Sequence, residues 1–277
     1  MTKKLLAALL AATMLCLFMP TMVSAAPVDI TADFTDPNFK AAVYAKIGKT
    51  APAPIYDTDA AVVSELNVSS KGIQRLDGLE HFKALRMLNC SGNQLASLPA
   101  LPSSLVSMNC SYNQLTSLPA PLPSNATHIW CNENQLTSLP ALPSGLVFLA
   151  CDNNQLTSLP APLPSGLEYL VCYKNRLTSL PKLPATVSSL ECFHNQLTTI
   201  DVTGLSLQTF TCYGNNMKDK SAVIGFTGDW NAGYWTGVNY GFEPQNGAAS
   251  APTEPSCFAK IWAFIVKWIF FGWLWQK

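Results

Sequence analysis

One phrase of about twenty residues is written seven times between residues 85 and 217, and a chain so periodic can only fold by stacking copies of one unit. Its clearest copy runs Leu146-Val147-Phe148-Leu149-Ala150-Cys151-Asp152-Asn153-Asn154-Gln155-Leu156-Thr157-Ser158-Leu159-Pro160. Cys90, Cys110, Cys131, Cys151, Cys172, Cys192 and Cys212 mark the beat, at spacings of 20, 21, 20, 21, 20 and 20. Three residues after each stands Asn93, Asn113, Asn134, Asn154, Asn175, Asn195 or Asn215. A solenoid of this kind needs no single globular centre, so the 277-residue length does not set a domain count.

Alternation along a strand such as Phe148-Leu149-Ala150-Cys151 sends Leu149 and Cys151 inward and Phe148 and Ala150 outward. Successive copies then lie side by side as a parallel sheet, and Leu156 and Leu159 turn back in to complete the coil. Each asparagine falls where the chain leaves the strand. Its amide can donate and accept, so seven in register are expected to form a hydrogen-bonded ladder. The return segments, Leu-Pro-Ala-Leu-Pro-Ser or Leu-Pro-Ala-Pro-Leu-Pro-Ser, lack donors at proline and disfavour helix before it. The outer side is therefore expected to be extended or polyproline-like, without helices. The expected fold is a β-rich solenoid of the α/β type, with a parallel concave sheet and a helical N-terminal cap.

Regular cysteines invite a metal or disulfide reading. No Cys-x-x-Cys occurs, and side chains held parallel at strand spacing keep their Cβ atoms wider apart than the ~3.8 Å of a disulfide. A reduced, buried ladder of small apolar side chains is expected instead, with no metal and no cofactor.

The copies carrying Asn-Gln-Leu-Thr-Ser-Leu-Pro-Ala-Leu-Pro-Ser resemble the leucine-rich repeats of LPX type found in secreted bacterial effectors. An apolar leader, a helical cap and a 22-residue first rung resemble internalin-type bacterial surface proteins. The likeness spans roughly residues 34–217. It implies recognition of a protein or glycan and carries no catalytic residue across.

Flanking segments give the remaining boundaries. Lys3-Lys4, an apolar run to Met19 and Val23-Ser24-Ala25 make residues 1–25 an expected signal peptide, implying export to the cell surface or beyond. Residues 26–62 form an N-terminal cap: Asp36 and Pro37 start a helix, Phe39, Val43 and Ile47 recur on one face, and Gly48 stops it. The solenoid covers 63–217, a C-terminal cap 218–244 and a polar linker 245–256. Residues 257–277 form an apolar tail interrupted by Lys260 and Lys267 and rich in tryptophan, expected to associate with a membrane.

Function is expected on the outward strand positions of the concave face. His128, Trp130, Phe148 and Tyr169 come together on adjacent rungs, with Tyr173 and Phe193 just beyond the cysteines, as an exposed aromatic cluster for a ligand. Glu133, Asp152, Lys174, Glu191 and His194 are expected to form a solvated polar rim. Aromatic pairing that only stiffens the sheet is the competing reading. His81, His128 and His194 stand with no nucleophile in a triad order, so no enzyme is expected. With 17 basic and 17 acidic residues, no nucleic-acid partner is expected either.

Overall fold

The computed structural model describes residues 26–230, 239–243 and 245–246. The leader 1–25, nearly all of the linker and the tail 257–277 lie outside them. No helix among the described residues is long and apolar enough to cross a membrane.

The fold is a parallel leucine-rich repeat solenoid of about eight turns. Strands β1 (Glu65–Asn67), β2 (Met87–Asn89), β3 (Ser107–Asn109), β4 (His128–Trp130), β5 (Phe148–Ala150), β6 (Tyr169–Val171) and β7 (Ser189–Glu191) pair in sequence order, one per rung. The short β8 (Ile200–Asp201) lies off this sheet and pairs with β10 (Val223–Ile224) on the return side. The main sheet continues through β9 (Thr209–Thr211) to a ninth strand, β11 (Asn239–Gly241). Registers never slip: Leu88 faces Met108, then Ile129, Leu149, Leu170, Leu190 and Phe210. A one-residue slip would turn this whole row out of the core.

Between the strands and the next rung the chain is extended and turned, with no helix from residue 82 to 219. The two 21-residue copies place cis Ala120–Pro121 and Ala161–Pro162 in these return segments. One apolar core runs the length of the coil, with every ladder cysteine fully buried and unpaired. Burial pushes the Cys90 thiol up to about 12 and its fellows in the same direction, which keeps them protonated and poor nucleophiles.

Each asparagine ties two rungs. Asn154 Nδ2 donates to Cys131 O of the preceding rung at 3.0 Å and to Cys151 O and Asp152 O of its own at 3.1 Å, while its Oδ1 accepts from Leu136 N at 2.9 Å. The same set recurs from Asn113 to Asn215. The residue just before it adopts a left-handed backbone to make the turn, with φ of 49–54° at Tyr112, Glu133, Asn153, Lys174 and His194. Gly214 holds that place in the last cysteine rung, where a Cβ would collide with the His194 ring.

The N-terminal end is closed by α1 (Pro37–Ile47) and α2 (Asp57–Ala61). Asp36 Oδ1 accepts from Asn38 N and Phe39 N to cap α1, and its Oδ2 accepts from Gln74 N at 2.7 Å and Arg75 N at 3.2 Å. One carboxylate thus fastens the helix to the first rung. Phe34, Phe39 and Val43 are fully buried in the continuous core. At the other end the cysteine–asparagine beat stops, yet its role continues. Phe242 takes the cysteine position, and Gln245 accepts from Asn215 N at 3.1 Å and donates to Phe242 O and to Cys212 O.

Replacing Asn154 with leucine strands several buried carbonyls and the Leu136 N–H, and is expected to destabilise the fold by about 1–3 kcal/mol. Urea unfolding measures this; equal midpoints for variant and parent would mean the turns do not depend on the side chain.

Candidate ligand-binding face

Because one residue stands at each outward position of each rung, the concave face reads as columns. In the first three rungs these columns are filled by a self-satisfied pair. Asn67, Asn89 and Asn109, just before the inward residue, each accept from the backbone N–H and hydroxyl of Ser69, Ser91 and Ser111. The Asn-x-Ser spelling at these positions is therefore an Asx turn of the repeat.

From β4 onward the same columns change chemistry. His128 stacks on Trp130 and Phe148, with ring centroids 5.8 and 6.2 Å apart, and Phe148 meets Trp130 at 4.9 Å and Tyr169 at 5.9 Å. One residue beyond the cysteines, Tyr173 stacks on Phe193 at 4.2 Å and Phe193 on Tyr213 at 4.5 Å, with planes within 13°. Trp130, Phe148, Ala150, Val171, Tyr173 and Phe193 form a second apolar cluster, separate from the core of the coil. The six sequence candidates thus fall in two adjoining ring rows.

Their exposure differs from the sequence expectation. Trp130 is 5% and Phe148 3% exposed, with Tyr173 and Phe193 below a tenth; His128 and Tyr169 are half-buried. Rings one strand spacing apart cover each other's faces, so mainly edges reach solvent. Truncating Trp130 or Phe148 to alanine would therefore open the cluster and destabilise it by about 3–5 kcal/mol. Tyr112, two residues after Cys110 where Tyr173 is one after Cys172, sits on the left-handed turn and is 54% exposed.

The polar rim needs a larger correction. Glu133 and His194 are half-buried and Lys174 is exposed, but Asp152 and Glu191 are 1% and 2% exposed. The neighbouring rings and strand side chains close over short acids that sequence position alone assigns to solvent. Burial raises Asp152 to about 6, against hydrogen bonds from Asn153 and Tyr173, with Glu133 adding repulsion. Burial raises Glu191 to about 7, with the charge of Asp152 adding to it. Burial also lowers His128, opposed by Glu168, so its imidazole is neutral near pH 7. Among the described residues, Asp152 Oδ1 and Glu191 Oε1 have no hydrogen-bond partner, nor do Asn132 Oδ1, Ser189 Oγ and Thr211 Oγ1. These last three were invisible as site residues because Asn, Ser and Thr are ordinary on an open strand face. The signal that could have found them is the loss of the Asn-x-Ser pair after Asn109. No group of three His, Cys, Asp or Glu among the described residues is placed to hold a metal.

The coil overlays on YopM, a leucine-rich effector protein from Yersinia pestis, with a TM-score of 0.58 and 26% identity over 66% of this chain and 48% of that one. YopM from Yersinia enterocolitica matches at 0.52 and 28%, over 70% and 45%. A Shigella effector leucine-rich repeat domain matches at 0.50 and 26%, over 66% and 87%. The chain thus spans about half the length of the YopM structures. No family model and no curated protein sequence matches it. The fold so defined is a leucine-rich repeat solenoid, shared with these bacterial effector structures.

Both carboxylates are raised above their unfolded values, so their burial opposes folding only once they ionise. That penalty is absent below about pH 4, grows as pH rises toward 7, and is complete above it. The parent is expected to lose a few kcal/mol between about pH 4 and pH 7 relative to an Asp152→Asn, Glu191→Gln variant, and no more above it. Urea midpoints measured across that range with equal slopes for both proteins would place the carboxylates in water.

Proposed function

We propose that the chain is an exported, non-enzymatic bacterial recognition module that binds a protein partner on the β4–β9 part of its concave face. The observation that carries this reading is the change of the face at β4. A repeat that needs only stability already has a complete solution in its Asn-Ser turns, and the later rungs abandon it for two ring rows and unpaired acceptors. A packed aromatic strip with polar atoms at its margin suits a protein interface. A glycan, which stacks on open ring faces, is less well served, since the rows cover their own faces. The opposing reading, an envelope protein with no ligand whose rings only brace the sheet, is favoured by that same mutual burial. Export follows from the leader-like residues 1–25, and tethering from the apolar tail 257–277.

A photo-crosslinking residue at Tyr169 is expected to capture a partner from the producing organism's surroundings, whereas one at Lys182 on the return side is not. Equal adducts at both positions, or none at Tyr169, would leave the rings as bracing. Removal of residues 257–277 is expected to move the protein from the membrane fraction to the medium; unchanged sedimentation with membranes would rule out the tail as tether.

A further inference from the structure

We propose that the partner seats a cationic side chain, an arginine guanidinium or lysine ammonium, against Asp152 and Glu191, with the Tyr173–Phe193–Tyr213 row as its apolar wall. This deepens, and rests on, the assignment of the concave face as the binding surface.

Among the described residues, five buried side-chain oxygens on this face have no hydrogen-bond partner. Such atoms are normally satisfied, and each left bare opposes folding. Their places in the register group them. Asn132 and Asp152 occupy the position after the cysteine on neighbouring rungs. Glu191 and Thr211 are strand partners, and Ser189 lies two residues along from Glu191 on the same side of the sheet. Asn132 Oδ1 only accepts, and the Ser189 and Thr211 hydroxyls accept as well as donate, so a guest rich in donors serves all five oxygens while its positive charge meets the carboxylates. The two carboxylates repel each other, and Glu133 adds to the negative field at Asp152. What fits is a group with several donors and a positive charge. Arginine offers five donors in a plane and lysine three around a point.

The rim already accommodates a cation. Lys174, at the left-handed turn next to Tyr173, holds its Nζ 5.9 Å from the Tyr173 ring centroid. Tyr173 follows Asp152 in the same column one rung on, and the cation reaches that carboxylate by displacing its phenol. The two ring rows end on partly exposed side chains, Tyr169 and Tyr213, which leaves an open margin for the partner's main chain.

The test selects peptides from a random phage-displayed library on the full chain and measures their affinities by titration. The same titrations use an Asp152→Asn, Glu191→Gln variant and a His128→Ala, Tyr169→Ala variant, each checked by circular dichroism. The expected peptides carry arginine or lysine. They lose at least about tenfold in affinity on the carboxylate variant, and by a similar factor when their arginine is replaced by uncharged citrulline. Peptides weakened by the His128→Ala, Tyr169→Ala change but indifferent to the carboxylate change would overturn the cationic anchor and leave the concave-face reading standing. Peptides indifferent to both variants would overturn both. Argininamide alone should shift the ring resonances of Tyr173 and Phe193 in the parent and not in the carboxylate variant; absence of any shift in the parent also counts against the proposal.

Discussion

The structure depends on satisfying backbone polar groups at the bend after each strand. A coil with a rung every twenty or so residues must turn sharply inside its own core, where an unpaired carbonyl or N–H opposes folding by about 1–3 kcal/mol. Asparagine meets this need because one amide carries two donors and an acceptor on a short stem. Reaching Cys131 O behind and Cys151 O beside it, Asn154 makes each rung's turn a condition of its neighbour's. The cysteines fit the same geometry from below. Their small sulfurs fill the rung, and Cys131 Sγ lies 3.4 Å from Ala150 O of the next strand.

Both ends of the ladder show the same requirement met by other residues. At the start, where no asparagine precedes, Asp36 caps α1 and takes the Gln74 and Arg75 N–H groups. At the finish Gln245 reaches Asn215 N and Cys212 O across a longer side chain. A solenoid ends where something else supplies the missing hydrogen bonds, which is why neither end is left open among the described residues.

Such a scaffold separates stability from specificity. The inward row and the asparagines hold the coil, so the outward columns are free to vary, and they do so abruptly after Asn109. On one side of that boundary polar side chains satisfy each other; on the other, rings stack and acceptors go unmet. The contrast within one sheet is more informative than either half, because backbone, register and twist are shared and only the side chains differ.

The coil is written in the periodicity of the chain. Period, inward leucines, cysteine and asparagine positions and the Asp36–Gly48 helix were all legible because each rests on contacts that repeat or stay local. The last rung was not, since Phe242 and Gln245 stand thirty residues beyond Cys212 and Asn215 respectively rather than twenty, and the pairing of β11 with β9 across the gap restores the register. The columns were legible as lists: His128, Trp130, Phe148 and Tyr169 do face one way. Their burial was not legible: Trp130 and Phe148 cover each other, and Asp152 and Glu191 keep almost no exposed surface. The reason is physical. Which way a side chain points follows from strand alternation and can be read from a single rung, whereas how much water it keeps depends on the side chains of neighbouring rungs across the sheet.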